Sequence, residues 1–527
     1  MITEEQPSRS IGDKSQVPCV NLKDYTIDRP VLEFIPENIA RRYNIIPLFK
    51  VEDVLTVAMS DPLNIVAIDE ISALVQCKTE SVMASRESID TAIDQWYGVG
   101  NARKALIEEL CGEIKEVATE KGIGHSGDTS SRQLMELRPK SEAEEAPIIK
   151  LVNSYIVQAI LEEASDIHLE PKRDSLLVRF RIDGLLFDRE LLPRRLAAPI
   201  ISRTKIMSLL DISKSRTPQY GRVGIIIRDR HIDIRTSTFP SMYGENVVLR
   251  ILDKSKGPPS LQELGYSKDN LVTFKRMLNA TNGIILSTGP TGSGKTTTLY
   301  SCISTLRTSR MNIMTVEDPI EYQIEGVVQS QVNPLTGVTF ATALRSILRQ
   351  DPDVIYVAEI RDPETADIAV RAALTGHLVF STLHTNNAGG AISRLRDLGV
   401  ARDLLASVLN CSFAQRLVRK ICPTYVRDYR PEEGLLEKLN LPLSTRFRKG
   451  KGCDFCGYTG YRGRTGIFEI LVIGKEIRAL IGSGASEDEI MQAARAKGTK
   501  TLFEDGLLKV MMGITTYEEI IRVTEEE

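Results

Sequence analysis

Gly289-Pro290-Thr291-Gly292-Ser293-Gly294-Lys295-Thr296 is a complete match to the phosphate-binding loop pattern G-x-x-x-x-G-K-[ST]. The loop follows the strand-like run 283–288, and the residues from Thr297 onward predict a helix. In such a loop the backbone N–H groups surround phosphate oxygens, the lysine pairs with the β- and γ-phosphates, and the threonine hydroxyl binds Mg²⁺. The pattern therefore predicts a nucleoside triphosphate site, with Mg²⁺ on Thr296. The alternative is a glycine-rich turn without a ligand.

The size and composition of the chain restrict its class. A length of 527 residues predicts three or four domains. Apolar residues make up 42% and charged residues 26%, and no apolar run approaches the roughly 18 residues needed to span a bilayer. The acidic first residues do not resemble a secretory signal, so we expect a cytoplasmic protein. A net charge of −3 gives no overall basic field, which disfavours a stable nucleic-acid partner.

Changes of pattern along the chain predict a multidomain α/β protein. The expected P-loop domain, a parallel-sheet nucleotide-binding domain, is preceded by an α+β domain and by a small N-terminal α/β domain. The predicted divisions are a flexible arm (1–20), the small N-terminal domain (21–98), a charged helix over 102–119 within a helix-and-linker segment (99–145), an α+β domain that opens with a helix at Pro147 (146–256), and a P-loop domain (257–527) that includes a cysteine-containing segment (420–465) and a helical tail (466–527).

Two acidic sites follow the loop at the predicted carboxyl ends of strands, where parallel sheets present ligand-binding groups. The first is Glu317-Asp318, which can reach Mg²⁺ or the attacking water, although Asp-Pro is also a common start of an exposed turn. The second, Glu359, ends the apolar run 353–358 in the Walker B pattern. Hydrolysis needs one carboxylate near the metal and another to orient or deprotonate water. We expect Glu359 to act on the water and Glu317 to be a further catalytic acid beside Lys295; a solvent-facing carboxylate is the alternative.

Two histidines, His377 and His384, bracket the strand predicted to lie beside the Walker B strand. An imidazole next to a γ-phosphate can register hydrolysis by gaining or losing one hydrogen bond. A histidine that serves only packing is the alternative. Both are therefore candidates for contact with the nucleotide.

The order of these motifs resembles the secretion ATPases of type II secretion and type IV pilus assembly over nearly the whole chain. The matching runs are Ala164-Ser-Asp-Ile-His-Leu-Glu-Pro171, the phosphate-binding loop, Thr315-Val-Glu-Asp-Pro-Ile-Glu-Tyr322 (the "Asp box"), Leu348-Arg-Gln-Asp-Pro-Asp-Val354 before the Walker B glutamate, and the histidine pair. The resemblance implies that Glu359 is the catalytic glutamate, that Glu317 is an Asp-box acid and that His377 and His384 form the histidine box.

The same resemblance assigns roles to four arginines. It implies that Arg222 and Arg235 reach the nucleotide across a domain or subunit junction, much as an arginine finger does. Arg345 and Arg349, an i,i+4 pair on a predicted helix, fall in the segment that leads to Walker B. Solvated ion pairs are the alternative for all four.

The resemblance also implies a RecA-like fold for the P-loop ATPase domain, a docking role for the small N-terminal domain (21–98), an assembly and an activity. The expected protein is an ATPase motor that uses ATP and Mg²⁺ to drive pseudopilus or pilus assembly as a homo-hexamer. The implied partners are inner-membrane platform and docking proteins, with peripheral association at that membrane. The runs 383–392 and 414–418 favour the type II secretion branch. Rival hypotheses are a slowly hydrolysing, nucleotide-dependent assembly scaffold and a nucleic-acid translocase.

Three features depart from the family pattern. Ala358 stands where the family usually has glycine, and its methyl group predicts slower hydrolysis. Cys453 and Cys456 form one Cys-x-x-Cys pair, but the first pair retains only Cys422. Structural Zn²⁺ needs four ligands, so zinc is left open, with the fourth ligand unidentified. Members that bind a cyclic dinucleotide begin with further leucine- and glycine-rich motifs, so the start of this chain disfavours such control.

Overall fold

The computed structural model describes residues 29–93, with single-residue gaps at 33, 52, 63 and 76, together with 115–117, 142–255, 257–524 and four separate positions near the start. The chain forms two compact units that divide between residues 112 and 113. Most of the predicted arm (1–20) and the predicted linker from 118 to 141 lie outside the described residues.

The described residues of the first unit form a three-stranded sheet and four helices. Strand β1 (Ile45–Val51) pairs antiparallel with β2 (Val54–Met59), which pairs parallel with β3 (Lys78–Met83). The helices are α1 (Arg29–Leu32), α2 (Glu37–Tyr43), α3 (Ile65–Val75) and α4 (Arg86–Ile93). The end of the predicted arm extends this sheet, because Met83 N–H donates to Pro18 O over 2.8 Å and Val20 N–H donates to Met83 O over 2.9 Å.

The second unit contains two seven-stranded sheets, of which the first is wholly antiparallel in the order β4-β8-β9-β10-β5-β6-β7. Its elements are β4 (Lys115–Val117), β5 (Ala164–Pro171), β6 (Ser175–Ile182), β7 (Leu185–Pro193), β8 (Gln219–Ile227), β9 (Arg230–Ser241), β10 (Gly244–Asp253), α5 (Glu142–Leu161) and α6 (Ala197–Met207). Two predicted bounds are wrong. The helix expected over 102–119 cannot continue through β4. Helix α5 begins at Glu142, before Pro147, which lies inside the helix.

The other sheet of the second unit, the central sheet, has the order β13-β12-β14-β15-β11-β16-β19. Its strands are β11 (Gly283–Thr288), β12 (Ile313–Glu317), β13 (Val328–Gln331), β14 (Val354–Val357), β15 (Leu378–Leu383), β16 (Leu409–Ile421) and β19 (Tyr461–Val472). All neighbours from β13 to β16 are parallel, and β19 is antiparallel to β16. The predicted helical tail is therefore wrong over 466–472, where apolar residues form a buried strand.

The remaining elements surround the central sheet or follow it. The helices are α7 (Lys268–Leu278), α8 (Lys295–Leu306), α9 (Phe340–Ile347), α10 (Pro363–Leu374), α11 (Gly390–Asp397), α12 (Arg402–Val408), α13 (Glu433–Lys438), α14 (Lys475–Ser483), α15 (Glu487–Ala496), α16 (Leu502–Met511) and α17 (Tyr517–Thr524). Strands β17 (Val426–Tyr429) and β18 (Phe447–Gly450) form a hairpin in the cysteine-containing segment.

Burial on both faces explains why the central strands are continuous apolar runs. Every residue of β11, β14 and β15 is buried. Ile284 and Leu286 of β11 belong to one hydrophobic core, and Ile285 between them belongs to another on the opposite face. Since the strands are parallel, the carboxyl ends of β11, β12, β14 and β15 share one edge. That edge carries the phosphate-binding loop and its acidic partners.

Candidate nucleotide site

The loop after β11 has the backbone conformation of a phosphate cradle. Gly289 has φ 142° and Gly294 has φ 91°, a region that side chains with a Cβ rarely adopt. A Cβ added to Gly289 would lie 2.7 Å from Gln415 O, and one added to Gly294 would lie 2.7 Å from Gln415 Nε2. The Thr298 hydroxyl donates to Gln415 Oε1 over 2.8 Å. Gln415 of β16 therefore packs directly against the loop and requires glycine at both positions.

Lys295 is buried and turned toward its own loop. Its Nζ donates to Gly289 O over 2.5 Å and to Pro290 O over 3.0 Å. Burial lowers the pKa of Lys295 to about 8; Glu359 opposes this change, and the charge of Arg416 adds to it. A phosphate beside Nζ would offset the cost of burying the ammonium group. The lysine is therefore suited to an anionic ligand.

Glu359 lies at the same edge, just after β14. Its side chain is 16% exposed, accepts a hydrogen bond from Arg361 Nε over 2.7 Å and lies 3.3 Å from His384 Nε2. Burial lowers the pKa of His384, and the charges of Lys295 and Arg361 add to this effect against the attraction of Glu359. His384 is therefore neutral at pH 7, and its N–H can donate to Glu359. The structure brings these two predicted residues together beside the loop.

His377 lies at the opposite edge of the central sheet, so the predicted contact with nucleotide is wrong within this chain. Its carbonyl oxygen accepts from the N–H of Gly283, the first residue of β11, over 3.1 Å, whereas the phosphate-binding loop follows the last. Its ring Nδ1 is 2.8 Å from Ala372 O and 3.1 Å from Thr375 Oγ1. The intervening strand separates the two histidines by about 20 Å at about 3.3 Å per residue. The His377 ring therefore contacts the end of α10, next to the start of β15.

Glu317 ends β12, but protein donors occupy its carboxylate. It is 1% exposed, and its oxygens accept hydrogen bonds from the hydroxyl of Tyr300, from Thr315 over 2.6 Å and from Gln329 over 2.9 Å. The Tyr300 hydroxyl accepts from Glu321 N–H over 3.1 Å. Glu317 therefore lacks the environment predicted for a catalytic acid. Its carboxylate is buried and already accepts hydrogen bonds from protein donors, so it stabilises the neighbouring side chains instead of contacting water.

Arg222 and Arg235 lie opposite each other on β8 and β9, and both are held in ion pairs. Arg222 Nε is 2.5 Å from Asp233. Arg235 pairs with Glu321 over 3.1 Å and donates to Ile320 O over 3.3 Å. Arg235 therefore meets the Asp-box segment of its own chain. A nucleotide contact by Arg235 would compete with its ion pair to Glu321, whereas Arg222 pairs with Asp233 through Nε and has a side chain that is 47% exposed.

The other predicted polar candidates lie at the surface. Asp318 is exposed. Arg345 of α9 pairs with the exposed Glu364 near the start of α10. Helix α9 ends at Ile347, so Arg349 is not on the helix and the predicted i,i+4 pair is wrong.

Arg416 is part of this site. In the sequence, the run 414–418 that contains it indicated only which branch of the family the chain resembles. Its guanidinium donates to Asn386 O over 2.8 Å, in the loop that follows His384. In the same loop, Ala388 N–H donates to Glu469 Oε1 over 2.8 Å. Strands β16 and β19 thus fix the backbone that carries His384. The order of the sheet creates this arrangement, and the run 414–418 alone does not reveal it.

Three predicted cysteines of the cysteine-containing segment converge. Cys453 Sγ lies 3.7 Å from Cys422 Sγ and 3.7 Å from Cys456 Sγ. Tetrahedral zinc with Zn–S bonds of about 2.3 Å places its sulfur ligands about 3.8 Å apart, so the spacing fits three zinc ligands. Within the described residues, this cluster contains three ligand side chains and lacks a fourth histidine, cysteine or carboxylate.

A cavity of about 520 Å³ lies between the two sheets of the second unit. Gly294 and Thr297 line it from the phosphate-binding loop and α8, Arg230 and Asp253 from the antiparallel sheet, and Tyr322 from the end of the Asp box. The volume is within the range of about 300 to 1,000 Å³ that is usual for small-molecule sites. A nucleoside attached to phosphates on the loop would extend into this cavity.

The loop itself fits a bound polyphosphate with a divalent cation. The buried Ser293 Oγ has no hydrogen-bond partner in the part of the chain that the structure describes. The described hydrogen bonds of Lys295 go only to loop carbonyls, and Thr296, the second residue of α8, has a half-buried side chain. Phosphate oxygens would satisfy the first two groups, and the threonine hydroxyl is the usual protein ligand of Mg²⁺.

A parallel sheet with a phosphate-binding loop after one strand and a Walker B glutamate after another defines a P-loop nucleoside triphosphatase. The predicted multidomain α/β class is confirmed. The chain belongs to the type II/IV secretion system protein family, whose family model matches residues 141–522. The MshEN domain model matches residues 15–102, so the first unit carries a domain of that kind.

Named relatives span almost the whole chain. Type II secretion system protein E of Xanthomonas campestris pv. campestris is 41% identical over 100% of this chain and 92% of its own length. The type IV pilus assembly ATPase PilB of Myxococcus xanthus is 39% identical over 99% of this chain and 91% of its own. The X-ray structure of the Legionella pneumophila ATPase DotB matches 72% of this chain and 96% of that chain, with a TM-score of 0.55 and 21% identity, a likeness of fold.

A helix that spans a bilayer needs about 20 consecutive, mostly apolar residues. Of the helices that the structure describes, none is both long enough and apolar enough to cross a bilayer.

Proposed function

We propose that this protein is an ATPase motor that hydrolyses Mg²⁺-ATP to drive pseudopilus or pilus assembly. The observation that carries the proposal is the convergence of the phosphate-binding loop, Glu359 and His384 at one edge of the central sheet, in a chain of this family. Full-length relatives from the secretion and pilus branches are 41% and 39% identical. The proposal therefore covers both branches.

Binding of ATP uses the loop and the neighbouring cavity. The loop amides and Lys295 hold the phosphates, and the cavity between the two sheets receives the nucleoside. Thr296 would hold Mg²⁺, which neutralises phosphate charge when it is bound. Ser293 gains the hydrogen bond that its buried hydroxyl otherwise lacks.

Hydrolysis depends on the pair formed by Glu359 and His384. Glu359 orients the attacking water and accepts its proton, since its carboxylate stands at the edge that faces the loop. Neutral His384 donates to Glu359, and Arg361 holds the other carboxylate oxygen. Arg416 and Glu469 keep the loop after His384 in place. These contacts hold the Glu359 carboxylate in position before the nucleotide binds.

A motor generates force only if ATP hydrolysis moves one domain or subunit relative to another. The proposal includes a homo-hexamer at the inner membrane, in contact with platform and docking proteins of the machine. Arg235 supports a moving junction, because its ion pair with Glu321 joins β9 of the antiparallel sheet to the segment that follows β12 of the central sheet. Exchange of this ion pair for a phosphate would release a contact between the two sheets and allow them to move relative to each other.

The ring and the activity are tested together by phosphate release at increasing protein concentration, with mass measured by light scattering. We expect the specific rate to rise as hexamers form, because subunit contacts complete each site. Full specific activity in a monomer contradicts the ring. Stimulation by DNA that weakens with salt favours the translocase. Nucleotide binding without hydrolysis at any concentration favours the scaffold.

We also propose that Cys422, Cys453 and Cys456 bind zinc, with a fourth ligand from outside the described protein groups, such as water. The sulfur spacing supports this site. The metal would join the end of β16 to the segment after β18, which holds the hairpin β17–β18 in place.

Metal analysis of the purified protein tests the zinc site. We expect about one zinc per chain, lost in Cys453→Ser and released by a strong chelator with faster proteolysis of the 420–465 segment. Cys77→Ser, which changes a half-buried thiol of the first unit, is the matched control and should keep its zinc. A metal-free native protein whose three thiols react readily would contradict the proposal.

A further inference from the structure

Gln415 of β16 is a buried polar residue in the wall of the cavity between the two sheets of the second unit. It is 2% exposed, and it lines the cavity next to Gly294, Thr297 and Leu417. A Cβ added to Gly294 would lie 2.7 Å from the side-chain nitrogen Nε2 of Gln415. This nitrogen therefore lies against the backbone of the phosphate-binding loop, where the loop and the cavity meet.

The orientation of the Gln415 amide is set by the helix that follows the loop. Its oxygen Oε1 accepts a hydrogen bond from the buried hydroxyl of Thr298 in α8 over 2.8 Å. Because the amide group is planar, this bond directs the NH₂ group away from Thr298. In the part of the chain that the structure describes, Nε2 donates no hydrogen bond. A buried NH₂ group without an acceptor costs free energy, so the amide is suited to a ligand that supplies an acceptor.

The position of Gln415 along the loop indicates which part of a nucleotide it meets. Lys295 pairs with the β- and γ-phosphates and the nucleoside extends into the cavity, so the α-phosphate lies between them. Gln415 lines the cavity beside Gly294, the residue before Lys295. The free oxygens of an α-phosphate are charged acceptors, which form the stronger class of hydrogen bonds. Leu417, the next side chain on the same face of β16, is apolar, so the donor on this part of the strand is Gln415.

We propose that Gln415 binds an oxygen of the nucleotide's α-phosphate through Nε2, while Thr298 holds the amide in the required orientation. Packing against the loop would be served by methionine, an apolar side chain of similar length. The inference rests on the proposed function, since it requires nucleotide on the loop. It assigns a direct contact with the nucleotide to β16, a strand that carries neither the phosphate-binding loop nor the Walker B glutamate.

The test uses ADP and the two isomers of ADPαS, in which sulfur replaces one or the other free oxygen of the α-phosphate. Affinities are measured in Mg²⁺ by competition with a fluorescent ADP analogue. Because sulfur is a weak hydrogen-bond acceptor, the isomer with sulfur at the oxygen that Gln415 contacts already lacks most of this bond. We expect Gln415→Met to weaken ADP binding about tenfold and to weaken binding of that isomer by less than about threefold. Comparing ligands on the same preparation removes the effect of any unfolded fraction.

Thr298→Val is the matched control. It removes the hydrogen bond between Thr298 and Gln415 but leaves the NH₂ group, so its loss of ADP affinity should be at most about threefold. Three results overturn the inference while the proposed function stands: full ADP affinity in Gln415→Met, an equal loss for ADP and both isomers in that variant, or an equal loss of ADP affinity in Gln415→Met and Thr298→Val. Absence of nucleotide binding by the native protein overturns both.

Discussion

Replacement of Glu359 by glutamine is expected to reduce the rate of ATP hydrolysis about 10²- to 10⁴-fold, the range for loss of a general base. Glutamine has nearly the same size, and its single amide oxygen can still accept from Arg361 or from His384, but it cannot take a proton from water. The loop and Lys295 are unaffected, so the affinity for nucleotide should change little. Steady-state phosphate release and nucleotide titration measure the two quantities separately.

Glu364→Gln provides the matched control for this substitution. Glu364 is an exposed carboxylate that pairs with Arg345, so its loss should leave the hydrolysis rate within about twofold. Equal rates in the native protein and Glu359→Gln would remove the motor proposal and leave the assembly scaffold. Ala358→Gly adds a second comparison. Because the methyl group of Ala358 is predicted to slow hydrolysis, its removal should raise the rate.

Replacement of Glu519 by glutamine is expected to destabilise the junction between α17 and β16 by about 3 kcal/mol, as removal of one partner from a buried ion pair does. The side chain is 2% exposed and bonds to Arg419 over 2.7 Å and to Arg522 over 2.8 Å. The Arg419 guanidinium also lies 4.0 Å from the centre of the Tyr461 ring. Glutamine would leave two arginines without their counter-charge.

The effect of Glu519 should depend on pH in a defined direction. Burial opposes its ionisation, but hydrogen bonds from Arg522 and Arg419 outweigh that and lower its pKa to about 2 from 4.5. Because the folded pKa is the lower one, the carboxylate stabilises fully above about pH 4.5, and this contribution is lost as the pH falls toward 2. A shift of this size corresponds to about 3 kcal/mol.

Hydrogen exchange of the full chain is the suitable measurement, because a protein of several domains does not unfold in one step. Amides of 409–421 and 517–524 should exchange faster in Glu519→Gln at pH 7. The neighbouring exposed residue gives the control, Glu518→Gln, which should change stability by less than about 0.5 kcal/mol. Equal protection in all three proteins would contradict a stabilising role for the ion pairs.

The sequence predicted the part of the site that is local in the chain. The phosphate-binding loop, Glu359 and His384 each directly follow a buried apolar strand, and parallel strands bring such positions to one edge. The family was also predicted correctly from the order of motifs. Local pattern is sufficient in these cases because the strand specifies both its own burial and the position of the residue that follows it.

Features that depend on which strands are neighbours could not be predicted in the same way. His377 is close to His384 in sequence but lies at the other end of β15. Gln415 reaches the phosphate-binding loop, and Arg416 reaches the loop after His384, because β16 borders β11, a pairing that spans more than a hundred residues. Strand β3 was missed because charged and polar residues interrupt its apolar pattern.

The position of β19 affects how the protein folds during synthesis. Strand β11, which leads into the phosphate-binding loop, lies between β15 and β16, and β16 is bordered in turn by β19. A nascent chain that has emerged only as far as His384 contains the loop and the Walker B glutamate but lacks these last two strands. One side of β11 is then uncovered, and Gln415 is not yet available to pack against Gly289 and Gly294. The phosphate-binding loop can therefore pack against Gln415 only after β16 has been synthesised, and the central sheet has all seven strands only after residue 472.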